Sequence, residues 1–168
     1  MDIVDGTSVD GPGLRTSVYT AGCAHACPGC HNPTTWPFDA GRDITPDELL
    51  NRIRANDFNV TLTGGDPMYQ AEALLPVARA IKDAGYTLWC YTGFTFEQLL
   101  ERPDATALLS YIDALVDGPF IQARRNTDLR FRGSDNQRII DVQASLVRSH
   151  GVVELTEYYS LNLYSDHL

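Results

Sequence analysis

Three of the four cysteines stand within eight residues, as Cys23, Cys27 and Cys30, with the spacing C-x3-C-x2-C. A closed structural metal site takes four protein ligands, so three thiolates on one loop leave a coordination position free for water or substrate. The same set suits three corners of a four-iron, four-sulfur cubane whose fourth iron stays open. Zinc, a Cys27–Cys30 redox pair and plain buried thiols are the competing readings. Zinc wants a fourth ligand, and His25, between two cysteines, and His31, next to Cys30, are awkwardly placed to supply it. A redox pair leaves Cys23 without a role. The zinc deaminase pattern needs H-x-E ahead of P-C-x-x-C, and no such triplet occurs. Spacing alone leaves iron–sulfur and zinc both standing, with iron–sulfur the better match.

Other residues of chemical interest lie elsewhere. Gly64-Gly65-Asp66-Pro67 is either a tight turn or a place where backbone approaches a ligand closely. Asp117 heads an Asp-Gly pair and either faces a ligand or forms a turn. Thr92 shares a strand face with Leu88 and Cys90. Cys90, between Trp89 and Tyr91, reads as a buried inert thiol.

The elements that must carry these groups alternate. Residues 14–21 and 58–63 read as strands, as do 86–92, 114–117 and 138–142. Thr45-Pro46-x-Glu48 opens a helix with a capping box and proline at its first position. A second helix is expected over 70–84, perturbed by Pro76 and stopped by Gly85. Thr95 and Gln98 cap a further helical stretch reaching Tyr111 and broken at Pro103. Residues 150–168 form a tail of unplaced role.

β-α alternation implies parallel strands joined by helical crossovers. A full eight-unit barrel takes about 250 residues. The 168 residues here fit an α/β single domain: a partial, open β/α barrel of about five parallel strands with outer helices. Working groups in such folds sit at the C-terminal ends of strands. The cysteines, Gly64-Gly65, Thr92-Gly93 and Asp117-Gly118 all fall there, which points to one shared site.

Composition narrows the function classes. The formal net charge is -9, which argues against general nucleic-acid binding. Lys82 is the only lysine among 13 cations. Five arginines crowd residues 124–138, as Arg124, Arg125, Arg130, Arg132 and Arg138. This is either a solvated loop or a docking surface for a partner. No basic stretch followed by an apolar segment opens the chain, so no signal peptide is expected. No apolar run approaches the roughly 18 residues that span a bilayer. The expected compartment is the cytoplasm, where thiols stay reduced.

The cysteine loop after the first of these strands resembles that of the radical S-adenosylmethionine (SAM) superfamily. Further segments resemble its activases of glycyl-radical enzymes: Asp10-Gly11-Pro12-Gly13-Leu14-Arg15, Cys30-His31-Asn32 and Thr35-Trp36. Gly64-Gly65-Asp66-Pro67, Tyr91-Thr92-Gly93, Val116-Asp117-Gly118 and the run from Arg132 to Arg138 resemble the branch that serves anaerobic ribonucleoside-triphosphate reductase. The likeness covers residues 2–146. It implies a [4Fe-4S] cluster on Cys23, Cys27 and Cys30, with SAM chelating the open iron. It also implies Gly64, Gly65 and Asp66 near the SAM amino group, Gly29 and His31 near the adenine, and Thr92 and Asp117 as further contacts. Asp66 stands where much of the superfamily has glutamate. The implied partners are the reductase and a reduced flavodoxin or ferredoxin as electron donor. An activase of another glycyl-radical enzyme, such as pyruvate formate-lyase, is the near alternative. A non-enzymatic zinc or ferredoxin-like module is the alternative of another class.

Overall fold

The computed structural model describes residues 2–148 and 151–159. Seven strands form one sheet in chain order: β1 (Asp2–Thr7), β2 (Arg15–Thr20), β3 (Asn59–Gly64), β4 (Leu88–Tyr91), β5 (Ala114–Asp117), β6 (Arg138–Asp141) and β7 (Val153–Glu154). Strands β2 to β5 run parallel, with registers such as Val18↔Leu62, Leu62↔Cys90 and Cys90↔Leu115. Their crossovers carry the helices α1 (Pro46–Asn56), α2 (Ala71–Asp83), α3 (Phe96–Leu100) and α4 (Pro103–Leu109).

The strand expected at 138–142 forms as β6 but runs antiparallel to β5. The parallel block therefore has four strands, not five. The connection from Gly118 to Gln137 contains only a 3-10 turn at Gln122–Arg124. Without a helical crossover, the chain returns antiparallel. Strand β1 pairs antiparallel with β2 across a short turn for the same reason. It was not legible in sequence, because Asp2, Asp5 and Gly6 dilute its β propensity.

Helix signals act locally, although the capping box expected at Thr45 is only half formed, the Glu48 carboxylate pairing with Arg42. Thr45 accepts the Glu48 N–H at 3.2 Å, and Pro46 starts α1. Thr95 and Gln98 close a full capping box on α3. Helix α2 runs through Pro76 and stops before Gly85, whose φ is +87°.

The sheet buries both faces. Val18, Val60, Leu62, Leu88, Cys90 and Leu115 pack against Leu49, Ile53, Leu74, Val77 and Ile81 of the helices. On the other face Trp89, Val116 and Ile139 meet Phe131, Leu155 and Tyr158. The last described segment thus belongs to the fold. β7 pairs with β6, and Tyr158 stands edge-on to Trp89, with centroids 5.4 Å apart. The rest of the expected tail, 160–168, lies outside the described residues. Among those described, no helix is long and apolar enough to cross a membrane.

Candidate metal and cofactor site

The chain leaves β2 at Thr20 and enters the cysteine loop under tight control. Gly22 N–H donates to Thr35 O at 2.8 Å and Cys23 N–H to Trp36 O at 3.0 Å. Gly65 N–H donates to Thr20 O at 2.7 Å and Asp66 N–H to Gly22 O at 2.9 Å. The root of the loop is therefore stitched to the Gly64-Gly65-Asp66-Pro67 turn at the end of β3.

Both glycines of that turn are required by close approach. Gly64 sits at φ +102°, and a Cβ there would strike the Thr20 backbone. A Cβ on Gly65 would lie 2.6 Å from Gly22 O. The pair is thus a seam between two strand ends, and it also lines the cleft beside the cysteines.

Cys23, Cys27 and Cys30 are free thiols, each partly exposed. All three line one cleft of about 190 Å³ with His25, His31 and Thr92. Cys30 N–H donates to Cys27 O at 3.1 Å, closing the Pro28-Gly29 turn. Asn32 N–H donates to Cys30 Sγ at 3.4 Å. Burial pushes the Cys23 thiol up. Cys90 lies at 0% exposure in the core, and burial pushes its thiol well up. It does not reach the cleft.

The other expected residues divide. Gly64, Gly65, His31 and Thr92 line the cleft with the three cysteines. His31 packs against Phe120, with ring centroids 5.1 Å apart. Gly29, Asp66 and Asp117 are not in its lining: Gly29 is exposed and the two carboxylates are buried. Gly29 has φ +74° and lies against Gln122. The Asp66 carboxylate is 1% exposed and spent on its own chain. Its Oδ1 accepts Met68 N–H at 3.0 Å. Its Oδ2 accepts the His25 Nε2–H at 2.7 Å, the Thr92 hydroxyl at 2.9 Å and the Gly93 N–H at 2.9 Å. Asp117, also 1% exposed, accepts Phe96 N–H at 2.8 Å and pairs with Arg138. These two carboxylates hold strand ends in place and are not among the residues lining the cleft.

His25, to which the sequence assigned no role, proves central. Only its fold partner reveals it, because Asp66 lies 41 residues away. Asp10 and Phe120 also line the cleft, delivered by loops whose course the sequence does not show.

The donor set fits a cubane. Each cubane ligand grips a different iron, so the thiols need to surround a cleft and not converge on one point. Among the described residues, no group of three His, Cys, Asp or Glu converges as a single ion would require. The nearest candidates for a fourth ligand are engaged: His25 with Asp66, and His31 against Phe120.

A family model described as "4Fe-4S single cluster domain" matches residues 9–140. The chain is 36% identical over 141 residues to the anaerobic ribonucleoside-triphosphate reductase-activating protein of Haemophilus influenzae, covering 78% of this chain and 90% of that one. It is 38% identical over 142 residues to the protein of the same name from Vibrio cholerae, with the same coverage. The chain belongs to this activating-protein family. The Escherichia coli member is 32% identical over 139 residues, covering 77% of this chain and 89% of its own. The match to the family model spans the cysteine loop, the glycine seam and strands β2 to β5.

Proposed function

We propose that this chain is a radical SAM activase that installs a glycyl radical on anaerobic ribonucleoside-triphosphate reductase. The observation that carries the reading is the convergence on one cleft of three partly exposed thiols and the Gly64-Gly65 seam, in a chain of this family. The relatives are named for activating the reductase, and that role is carried to this chain here. The sheet would serve as a partial, open β/α barrel presenting its strand ends to the cofactor.

Cys23, Cys27 and Cys30 would hold three irons of a [4Fe-4S] cluster, leaving the fourth to the amino and carboxylate groups of SAM. Bound there and reduced by flavodoxin or ferredoxin in the cytoplasm, the cluster would supply the electron for reductive cleavage of SAM, and through it the removal of a glycine α-hydrogen from the reductase. The protein's share is orientation and exclusion of competing reactions. Gly64 and Gly65, whose side-chain places are taken by the Thr20 and Gly22 backbone, would present bare main chain to the SAM amino group at the turn. His31, backed by Phe120, offers a flat face to the adenine. Asp66, Thr92 and Asp117 keep the strand ends fixed, with the Thr92 side chain at the cleft wall.

The segment after β5 flanks this opening. Gln122 abuts Gly29, and Arg124 and Arg125 follow at once. Arg124 pairs with Asp135, and Arg138 is held by Asp117 and Glu97. The two exposed arginines at 124 and 125 would meet acidic groups of the reductase.

The test is anaerobic reconstitution with iron and sulfide, reduction, and addition of SAM. Expected are 5′-deoxyadenosine and, with the reductase present, a glycyl-radical electron paramagnetic resonance (EPR) signal. R124E/R125E should raise the reductase concentration for half-maximal activation several-fold, with SAM affinity unchanged. Failure of the reconstituted protein to cleave SAM would overturn the reading.

A further inference from the structure

We propose that His25 is a positioning residue: it fixes the middle of the cysteine loop to the Gly64-Gly65-Asp66 turn and so sets the register between cluster and SAM. This rests on the reading of the cleft as the cluster and SAM site.

The loop's root is secured by backbone hydrogen bonds at Gly22 and Cys23. Beyond them, His25 lies between the first two thiols, and its side chain reaches back to Asp66 Oδ2 at 2.7 Å. The contact is shielded, with His25 17% and Asp66 1% exposed. Phe94 stands edge-on to the imidazole, with centroids 4.5 Å apart, and Tyr69 closes in at 5.7 Å. Three donors, from His25, Thr92 and Gly93, share the one carboxylate oxygen. A buried oxygen with three donors holds each of them in a narrow range of positions.

Space has been reserved for this arrangement. A methyl group on Gly93 would lie 2.5 Å from His25 Cδ2 and 2.7 Å from its Nε2. Residue 93 is thus glycine because the imidazole fills the place of its side chain. Next to His25, Ala26 takes φ +48°, a left-handed conformation uncommon for a residue with a Cβ. The loop thus bends sharply between the anchored His25 and Cys27. Asp66 is the residue after the glycine seam, so one hydrogen bond joins the ligand loop to the segment facing SAM.

The experiment uses His25→Ala, the conservative His25→Gln, Gly93→Ala and the double variant H25A/G93A. Hydrogen exchange of amides 24–30 in the metal-free chain reads the strut directly. Anaerobic reconstitution then gives iron content, the SAM dissociation constant, and the EPR spectrum of the reduced cluster with and without SAM. Expected for His25→Ala are loop amides exchanging at least ten-fold faster, near-normal iron content, SAM affinity at least ten-fold weaker and an altered SAM-bound spectrum. His25→Gln, which can still reach Asp66, should recover part of the affinity. Gly93→Ala should mimic His25→Ala, and the double variant should be no worse than either single one. Unchanged loop exchange, unchanged SAM affinity, or strictly additive effects of the two substitutions would overturn the proposal. Loss of the cluster itself in His25→Ala would also overturn it, by making His25 a retention residue. Should the wild-type chain fail to bind SAM, the functional reading falls instead, while the exchange measurement still decides the strut.

Discussion

The two ends of the parallel strands are both rich in polar groups, yet only one end leaves any of them available. At the N-terminal end, Arg15 opens β2 at 1% exposure with all its hydrogen-bonding partners neutral. Its guanidinium donates to Thr61 Oγ1 at 2.7 Å, Val60 O at 2.6 Å and Thr87 O at 3.2 Å, and lies over Trp89. Burial lowers its pKa to about 10. Asp113, just before β5, takes Lys82 at 2.7 Å and Leu88 N–H at 2.7 Å. A groove of about 630 Å³ exists there too, but the groups lining it are turned on one another. At the C-terminal end Asp66 and Asp117 are likewise engaged with their own chain, while thiols, the Asp10 side chain and bare glycine backbone line a cleft. Polar content does not mark a site; unspent polar content does.

The largest effect should come from removing a thiol at the open end. Cys27→Ser, or the same change at Cys23 or Cys30, should abolish cluster-dependent SAM cleavage while the metal-free chain melts within a degree or two of wild type. Iron analysis, absorbance near the cluster band and thermal denaturation measure this. None of the three cysteines is a core residue, so the fold has little to lose. A variant that unfolds would erase the distinction between the ends.

The mirror-image change belongs at the closed end. Arg15→Met keeps much of the volume but strips donors from Val60 O and Thr61 Oγ1, while Thr87 O keeps the Val60 N–H. Leaving buried acceptors unmet costs about 1–3 kcal/mol each, so a loss of about 3 kcal/mol is expected in urea denaturation. SAM affinity per folded molecule should stay as in wild type. Weakened SAM binding with stability intact would show that the closed end reaches the cofactor.

How much of this was legible in sequence follows the same divide. The capping residues Thr45 and Thr95 act through near neighbours and could be read from spacing; the cysteine loop and Gly64-Gly65 could be placed at strand ends, but the seam that joins them, Gly64 to Thr20 and Gly65 to Gly22, could not. The antiparallel course of β6 could not, because it depends on what the connection at 118–137 fails to contain. Asp66 and Asp117 were legible as strand-end residues, but not as saturated ones. Their partners His25 and Arg138 lie 41 and 21 residues away, and only the fold brings them together. A histidine between cysteines offers no local sign that its ring is hydrogen-bonded to Asp66.

The smallest effect tests the frame of the open end through pH. Arg138 begins β6 and bridges two carboxylates. Its Nε donates to Asp117 at 3.0 Å, and its two terminal nitrogens reach Glu97 at 3.0 and 2.8 Å. The forked contact pulls the Glu97 carboxyl down to about 2. Since the folded state favours the charged carboxylate, the pair adds stability above the ordinary glutamate range. That increment is lost as pH falls from about 4.5 toward 2. Glu97 is 58% exposed, so solvent screening holds the gain to about 0.5–1 kcal/mol. Glu97→Gln should therefore lose that much at pH 7 and flatten the acid limb of the stability curve. Arg15 stays charged throughout this window. If Glu97→Gln denatures with the same acid dependence as wild type, the Arg138 bridge is not what holds β5, β6 and α3 together at the mouth of the cleft.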